Sequence, residues 1–231
     1  MGEPSRVRAD EVSRVYARRF GGAEEYRRAI WRVLVNRCFQ RLVPPEAVVL
    51  DLGCGYGEFI NTVQAAKKLA MDLNPDSRRR LRPGIQFLEH DCSVPWPLPA
   101  DELDVIFTSN FFEHLPDKSA LGRTLDEAFR CLKPGGMLVA LGPNIKFTKG
   151  AYWDFWDHHV PLTEASLSEA LETRGFEMTA CYARFLPYTM AKGPQYPPAL
   201  LAVYLWFPLL WRVFGRQFLI RARKPEKSWR I

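Results

Sequence analysis

Four histidines, three well-spaced aspartates and one glycine loop hold most of the chemistry open to this chain. The loop lies in Val48–Phe59, where the apolar run Val48–Leu50 passes through Asp51 into glycines at 53, 55 and 57. Glycines let a backbone close on a ligand, and a helix starting at once offers unpaired N–H groups and the positive end of its dipole. A diphosphate is one candidate ligand. However, Glu58 stands where a dinucleotide loop has its third glycine, and its charge opposes a phosphate. A zwitterionic amino-acid tail fits better, its carboxylate at the helix start and Asp51 facing an ammonium or sulfonium. Asp72, 21 residues beyond Asp51, ends the next apolar run and is placed to accept both hydroxyls of a ribose. Asp91 closes the third run, near where an adenine would lie.

Imidazole titrates near neutrality, so the histidines are the natural candidates for general acid–base work. His114 follows Glu113 just after the fourth apolar run. His158 and His159 stand in Trp153–Thr163 with Asp154, Asp157 and three aromatic residues. The plainer readings are that His114 orients its loop, His159 bonds a carbonyl at a helix entry, and the aromatics are core. His90 reads as structural.

These residues need a scaffold that brings them to one edge. Short apolar runs at 48–50, 68–71, 85–88, 103–108 and 136–141 alternate with helical patterns over 58–66, 119–132 and 163–174. That alternation predicts a parallel sheet with helices on both faces. Two more strands are expected over 176–185 and 217–222. Ahead of the sheet, residues 10–42 carry apolar positions at helical spacing, with Gly21-Gly22 separating a short first helix from a longer second one. The reading is one domain over 1–231, with a helical arm (1–43), a core (44–185) and an apolar insertion (186–215).

Charge is unevenly placed. The chain of 231 residues is +6 overall, yet residues 1–41 hold ten Arg and five acids, residues 212–231 are net +6, and the middle is acidic. Basic ends suggest an anionic partner for the termini. Five scattered cysteines with no C-x-x-C spacing, and no apolar leader, point to reduced thiols and a cytoplasmic location.

Five segments in order, LDLGCGYGEF (50–59), MDLNPD (71–76), LEHDCSVPWPL (88–98), FTSNFFEHLPD (107–117) and LKPGGMLV (132–139), resemble the class I S-adenosylmethionine-dependent methyltransferases. The resemblance runs from about Val48 to Phe185. It implies a Rossmann-like seven-stranded α/β sheet of order 3-2-1-4-5-7-6 with the last strand antiparallel, and S-adenosylmethionine as cofactor. It places Asp51, Gly53, Gly55 and Gly57 around the methionine moiety and Asp72 on the ribose. Leu73, Asp91 and Cys92 go to the adenine, Asn110 and Phe111 beside the sulfonium. Tyr16, Arg19 and Phe20 would sit in an arm that closes over the cofactor.

Methyl transfer to a hydroxyl needs a base or a metal, whereas an amine needs only to lose its proton. His158, His159 and His114 are therefore the catalytic candidates. Some related O-methyltransferases bind a divalent ion through Glu-x-x-Glu-His. Here Asn110 takes the place of the first glutamate, and Asp154, Asp157 or His158 would have to compensate, so no metal is assigned. The expected acceptor is a hydroxyl of a small molecule, glycan or lipid-linked metabolite. RNA or protein methylation through the basic arm is the alternative, disfavoured for RNA because no RNA-binding module appears; a non-catalytic partner subunit is the third reading. The apolar run 199–211, followed by Arg212 and Arg216, reads most simply as a helix buried on the sheet edge. A lid, a homodimer contact or an in-plane helix on an anionic membrane are its other readings, and with more apolar area than one helix face can hide, some of the run is expected to stay exposed or line a channel to the active site.

Overall fold

The computed structural model describes residues 24–187 and 195–226; Tyr16, Arg19 and Phe20 lie outside them. Helix α1 (Glu24–Arg37) opens the described chain. The helical pattern read through Leu42 stops earlier than expected, because Cys38 leaves helical geometry (φ −127°, ψ −61°) and a tight 3₁₀ turn covers Phe39–Leu42. Then follow β1 (Val48–Leu52), α2 (Glu58–Thr62), β2 (Lys67–Asp72), β3 (Ile85–Glu89), β4 (Leu103–Ser109) and α3 (Lys118–Cys131). The rest is β5 (Leu132–Pro143), α4 (Ile145–Thr148), α5 (Glu164–Glu172), β6 (Glu177–Tyr182), α6 (Pro198–Trp206), α7 (Pro208–Phe214) and β7 (Gln217–Arg223).

The seven strands pair in the order β3-β2-β1-β4-β5-β7-β6. The first five are parallel, and β7 runs antiparallel to both neighbours. Because strand side chains alternate in direction, each buried strand supplies two cores. Leu50, Leu52, Leu69, Met71, Ile106, Leu138 and Ile220 meet α3 and α5 on one face. Val49, Ala70, Val105, Phe107, Val139 and Leu219 meet α1 and α2 on the other. There Phe107 stacks on Phe59 (centroids 3.8 Å apart) and takes Phe39 and Trp31 edge-on.

Helix α2 is shorter than its apolar pattern suggested, since Val63 is already extended (φ −64°, ψ 146°) and the chain turns into β2. Helix α3 is capped by Asp117, whose side chain accepts from the Ala120 N–H at 2.7 Å. Replacing Asp117 by alanine should lower unfolding free energy by about 1 kcal/mol, read as a shift in the urea midpoint at unchanged m-value.

The insertion departs most from expectation. Instead of one buried helix it forms two, divided at Pro208, and neither contains a buried residue. Proline removes the donor that would continue α6 through this point.

Candidate active site

The glycine loop is fixed from below by β2, as the N–H groups of Gly53 and Cys54 donate to the Met71 carbonyl at 2.9 and 3.1 Å. Asp72 closes it from the side. One carboxylate oxygen accepts from the Gly55 N–H and the other from the Asn74 N–H, both at 2.8 Å. A carboxylate has about four lone-pair sites, so Asp72 can still accept from a ligand hydroxyl. Gly53 has φ +68°, and a Cβ there would overlap the ring of Phe111. Phe111 thus lies across the loop. Asn110 before it adopts φ +49°, uncommon for a side-chain-bearing residue, and donates its N–H to the Leu141 carbonyl at 2.8 Å.

Two carboxylates are buried here. Burial raises Asp51 well above the ordinary carboxylate range; a main-chain bond from Ile60 offsets part, while Glu58 and Asp72 add to the rise. Asp72 is raised by burial too, tempered by main-chain bonds from Asn74, Gly55 and Leu73. Glu58 pairs with Arg27 at 2.5 Å across the α1–α2 contact, so the charge that argued against a phosphate is largely committed to a structural bridge. Sequence reasoning missed this bridge, since nothing local links positions 27 and 58.

Beside the loop, a pocket of about 70 Å³ has Asp72, Leu73, Asp91, Cys92, Phe111, His114 and Asp157 among its lining residues, together with His90, whose Nε2 lies 3.0 Å from the Pro95 carbonyl. The pocket lies at the carboxyl ends of β1, β2 and β4, the ligand-binding edge of open α/β sheets. Asp91 accepts from the Ser93 N–H and hydroxyl (2.8 and 2.7 Å), and the Trp96 indole donates to the Cys92 carbonyl at 2.8 Å.

His114 sits on a 3₁₀ turn (Phe112–His114), with Nδ1 2.9 Å from the Asp157 carbonyl and 3.1 Å from its carboxylate. Both are acceptors, so Nδ1 carries the proton and the neutral ring has its lone pair on Nε2. Burial alone would lower the His114 pKa, but the Asp157 bond and the charges of Glu113 and Asp157 outweigh it and raise the value. The link between positions 114 and 157 was another contact that sequence spacing could not reveal.

The other histidine candidates stand apart from the pocket lining. His158 is buried, stacked on Phe155 (4.8 Å) and close to Tyr152 and His114. His159 is exposed, and its N–H donates to the Glu113 carbonyl at 2.8 Å. Tyr152, fully buried, donates its hydroxyl to the Val160 carbonyl at 2.5 Å and so holds this loop closed. Among the described residues, Glu113, His114 and His158 bring donor atoms within 4.8 Å of one another, close enough for one ion to touch all three. The bonds of His114 to the Asp157 carbonyl and carboxylate already account for its placement.

A larger cleft, about 570 Å³, lies on the outer side of the loop between Tyr56, Glu58 and five arginines, including Arg32, Arg79 and Arg82. Glu24 pairs there with Arg28 and Arg80.

The model of a family described as a methyltransferase domain matches residues 23–180. A relative from Mycolicibacterium smegmatis, named probable S-adenosylmethionine-dependent methyltransferase, is 30% identical over 77% of this chain and 70% of its own length. A malonyl-[acyl-carrier protein] O-methyltransferase from Methylococcus capsulatus is 29% identical over 70% of this chain and 61% of its own. Among solved structures, a SAM-dependent methyltransferase from Archaeoglobus fulgidus superposes with a TM-score of 0.64 at 21% identity, covering 87% of this chain and 97% of that one.

Proposed function

The chain belongs to the methyltransferase-domain family and uses S-adenosylmethionine, and from that premise we propose that it methylates a hydroxyl of a small-molecule, glycan or lipid-linked acceptor. The observation that carries this reading is His114: an imidazole lining the pocket, its Nδ1 proton held by Asp157 and its Nε2, 4.0 Å from a Glu113 carboxylate oxygen, the ring's remaining acceptor. A hydroxyl needs such a base, whereas an amine does not. The O-methyltransferase relative supports oxygen as the target.

S-adenosylmethionine supplies an activated methyl group on a sulfonium. The residues present fit it: two buried carboxylates suit a ligand bearing sulfonium and ammonium charges, and the Asp72 oxygens suit a diol. Asp51 and the glycine loop would hold the methionine end, Asp72 the ribose, and Leu73, Asp91 and Cys92 the adenine. Phe111, lying across the loop, would screen that end of the ligand from water. His114 accepts the acceptor's hydroxyl proton at Nε2 as oxygen becomes nucleophilic, and Asp157 and Glu113 stabilise the imidazolium that results.

The raised carboxylates give a pH prediction. An acid whose pKa is higher in the folded chain takes up protons on folding, so its contribution to stability falls as pH rises above ~4. A bound cation favours the ionised forms and expels those protons. S-adenosylmethionine binding should therefore release protons and tighten with rising pH, read by calorimetry in buffers of different ionisation enthalpy. No proton release would mean the cation does not face Asp51 and Asp72.

The acceptor class is tested by incubating the protein with radiolabelled methyl donor and, separately, lipid, small-metabolite, RNA and protein fractions. Label should enter the lipid or small-metabolite fraction. Label confined to RNA or protein would overturn the proposal.

A further inference from the structure

Helices α6 and α7, joined at Phe207, form a pair anchored to the core through Tyr204 and Trp211. Tyr204 donates its hydroxyl to the Phe185 carbonyl at 2.5 Å, the Trp211 indole donates to the Tyr204 carbonyl at 3.0 Å, and Trp211 packs edge-on against Phe185. Leu201, Tyr204, Leu205 and Trp211 complete the contact with the core. What remains faces outward. Trp206 is 72% exposed, Leu209 75%, Val213 62% and Phe214 56%, with Leu200, Val203 and Phe207 each above half. Scattered apolar side chains are ordinary on a surface, but seven large ones on 15 consecutive residues (200–214) are not. Helix α6 has no charged residue on any side, a pattern that belongs in a core or in lipid.

Charge selects between occupants. From residue 178 to 225 the sequence contains seven Lys or Arg and no Asp or Glu. Arg212 and Arg216 are exposed beside the apolar residues. Apolar and aromatic groups flanked by cations fit a surface that is oily within and negative at its face. The helices have nine and seven residues, and among the described residues no helix is long and apolar enough to cross a membrane. The helix pair enters the sheet at Gln217, which pairs with Pro143 at the carboxyl end of β5, the same sheet edge on which the pocket opens.

We propose that the α6–α7 pair docks this protein in the plane of an anionic bilayer surface, with Trp206, Leu209 and Phe214 inserted and Arg212 and Arg216 on the headgroups. The proposal does not depend on the identity of the methyl acceptor. The test is co-sedimentation of the full chain with phosphatidylcholine vesicles containing a quarter phosphatidylglycerol. Most of the protein should pellet at low salt, and the bound fraction should fall at least about fivefold in half-molar salt or on pure phosphatidylcholine. The variant W206S/L209S should lose at least about tenfold in binding, and R212E/R216E should lose the preference for anionic lipid. Both should keep the melting-temperature rise given by S-adenosylhomocysteine, which reports an intact fold. Failure to bind anionic vesicles at low salt, or equal binding by both variants, overturns the proposal. So does a concentration-dependent dimer, seen by sedimentation velocity and dissolved by W206S/L209S, which would assign the helix pair to a second copy of the chain.

Discussion

Replacing His114 by alanine should lower turnover by ~10²–10⁴ while leaving S-adenosylhomocysteine affinity within about threefold of the unaltered protein, because the base acts on the acceptor and not on the donor. The effect is large because its neighbours offer no substitute at that position: His158 is enclosed by Tyr152 and Phe155, and His159 points to solvent. Asp157→Asn should cost less, about tenfold to a hundredfold, since the amide could keep a contact to Nδ1 but would remove the charge that stabilises imidazolium. A His158→Ala variant should stay within about fivefold if the ring only packs. Full activity in His114→Ala would remove the base from this account and leave an acceptor that is already nucleophilic.

The second large effect falls on donor binding. Asp72→Ala should weaken S-adenosylhomocysteine by at least ~2 kcal/mol, about thirtyfold, the scale of a charge-assisted hydrogen-bond pair. Two losses combine there. The diol loses its acceptors, and the N–H groups of Gly55 and Asn74 lose the carboxylate that holds the loop in shape. Asp72→Asn separates them, because an amide oxygen can keep one of the two main-chain bonds. Its loss should be smaller than that of alanine. Equal affinity in unaltered and Asp72→Ala protein, by calorimetry, would place the ribose elsewhere.

The sheet was legible in the sequence because each strand is a short apolar run that ends in a polar or glycine signal: Val48–Leu50 before Asp51, Lys68–Met71 before Asp72, Leu103–Thr108 before Ser109. Strand order came from the family resemblance and is the observed order. Ends were less legible, since α1 stops at Cys38 and α2 at Val63 through backbone choices that apolar periodicity does not record. The residues read from the sequence as the donor side (Asp51, the glycines, Asp72, Asp91, Asn110 and Phe111) lie in order along the strand ends, which is why their placement could be anticipated. That of the acceptor side could not. His114 meets Asp157 only because the loop after β5 folds back over the turn after β4, with the Tyr152 hydroxyl and the Glu113 carbonyl holding it there. From sequence, His158 and His159 looked at least as suitable as His114, and burial and direction alone distinguish them. The insertion was half legible: the exposure expected of part of its apolar area is observed, whereas the single buried helix is not. An all-apolar run reads as core unless one knows that Pro208 splits it and that the sheet face beside it is already filled by α1, α2 and Phe185.

The methyl group is expected on an oxygen of the acceptor. Mass-spectrometric location of a trideuteromethyl group, transferred from labelled S-adenosylmethionine to the acceptor found in the lipid or small-metabolite fraction, tests it most directly. The expected product carries the label on the oxygen of a former hydroxyl, and the amount formed falls in His114→Ala protein. Label on nitrogen or carbon, formed at an undiminished rate without His114, would contradict it.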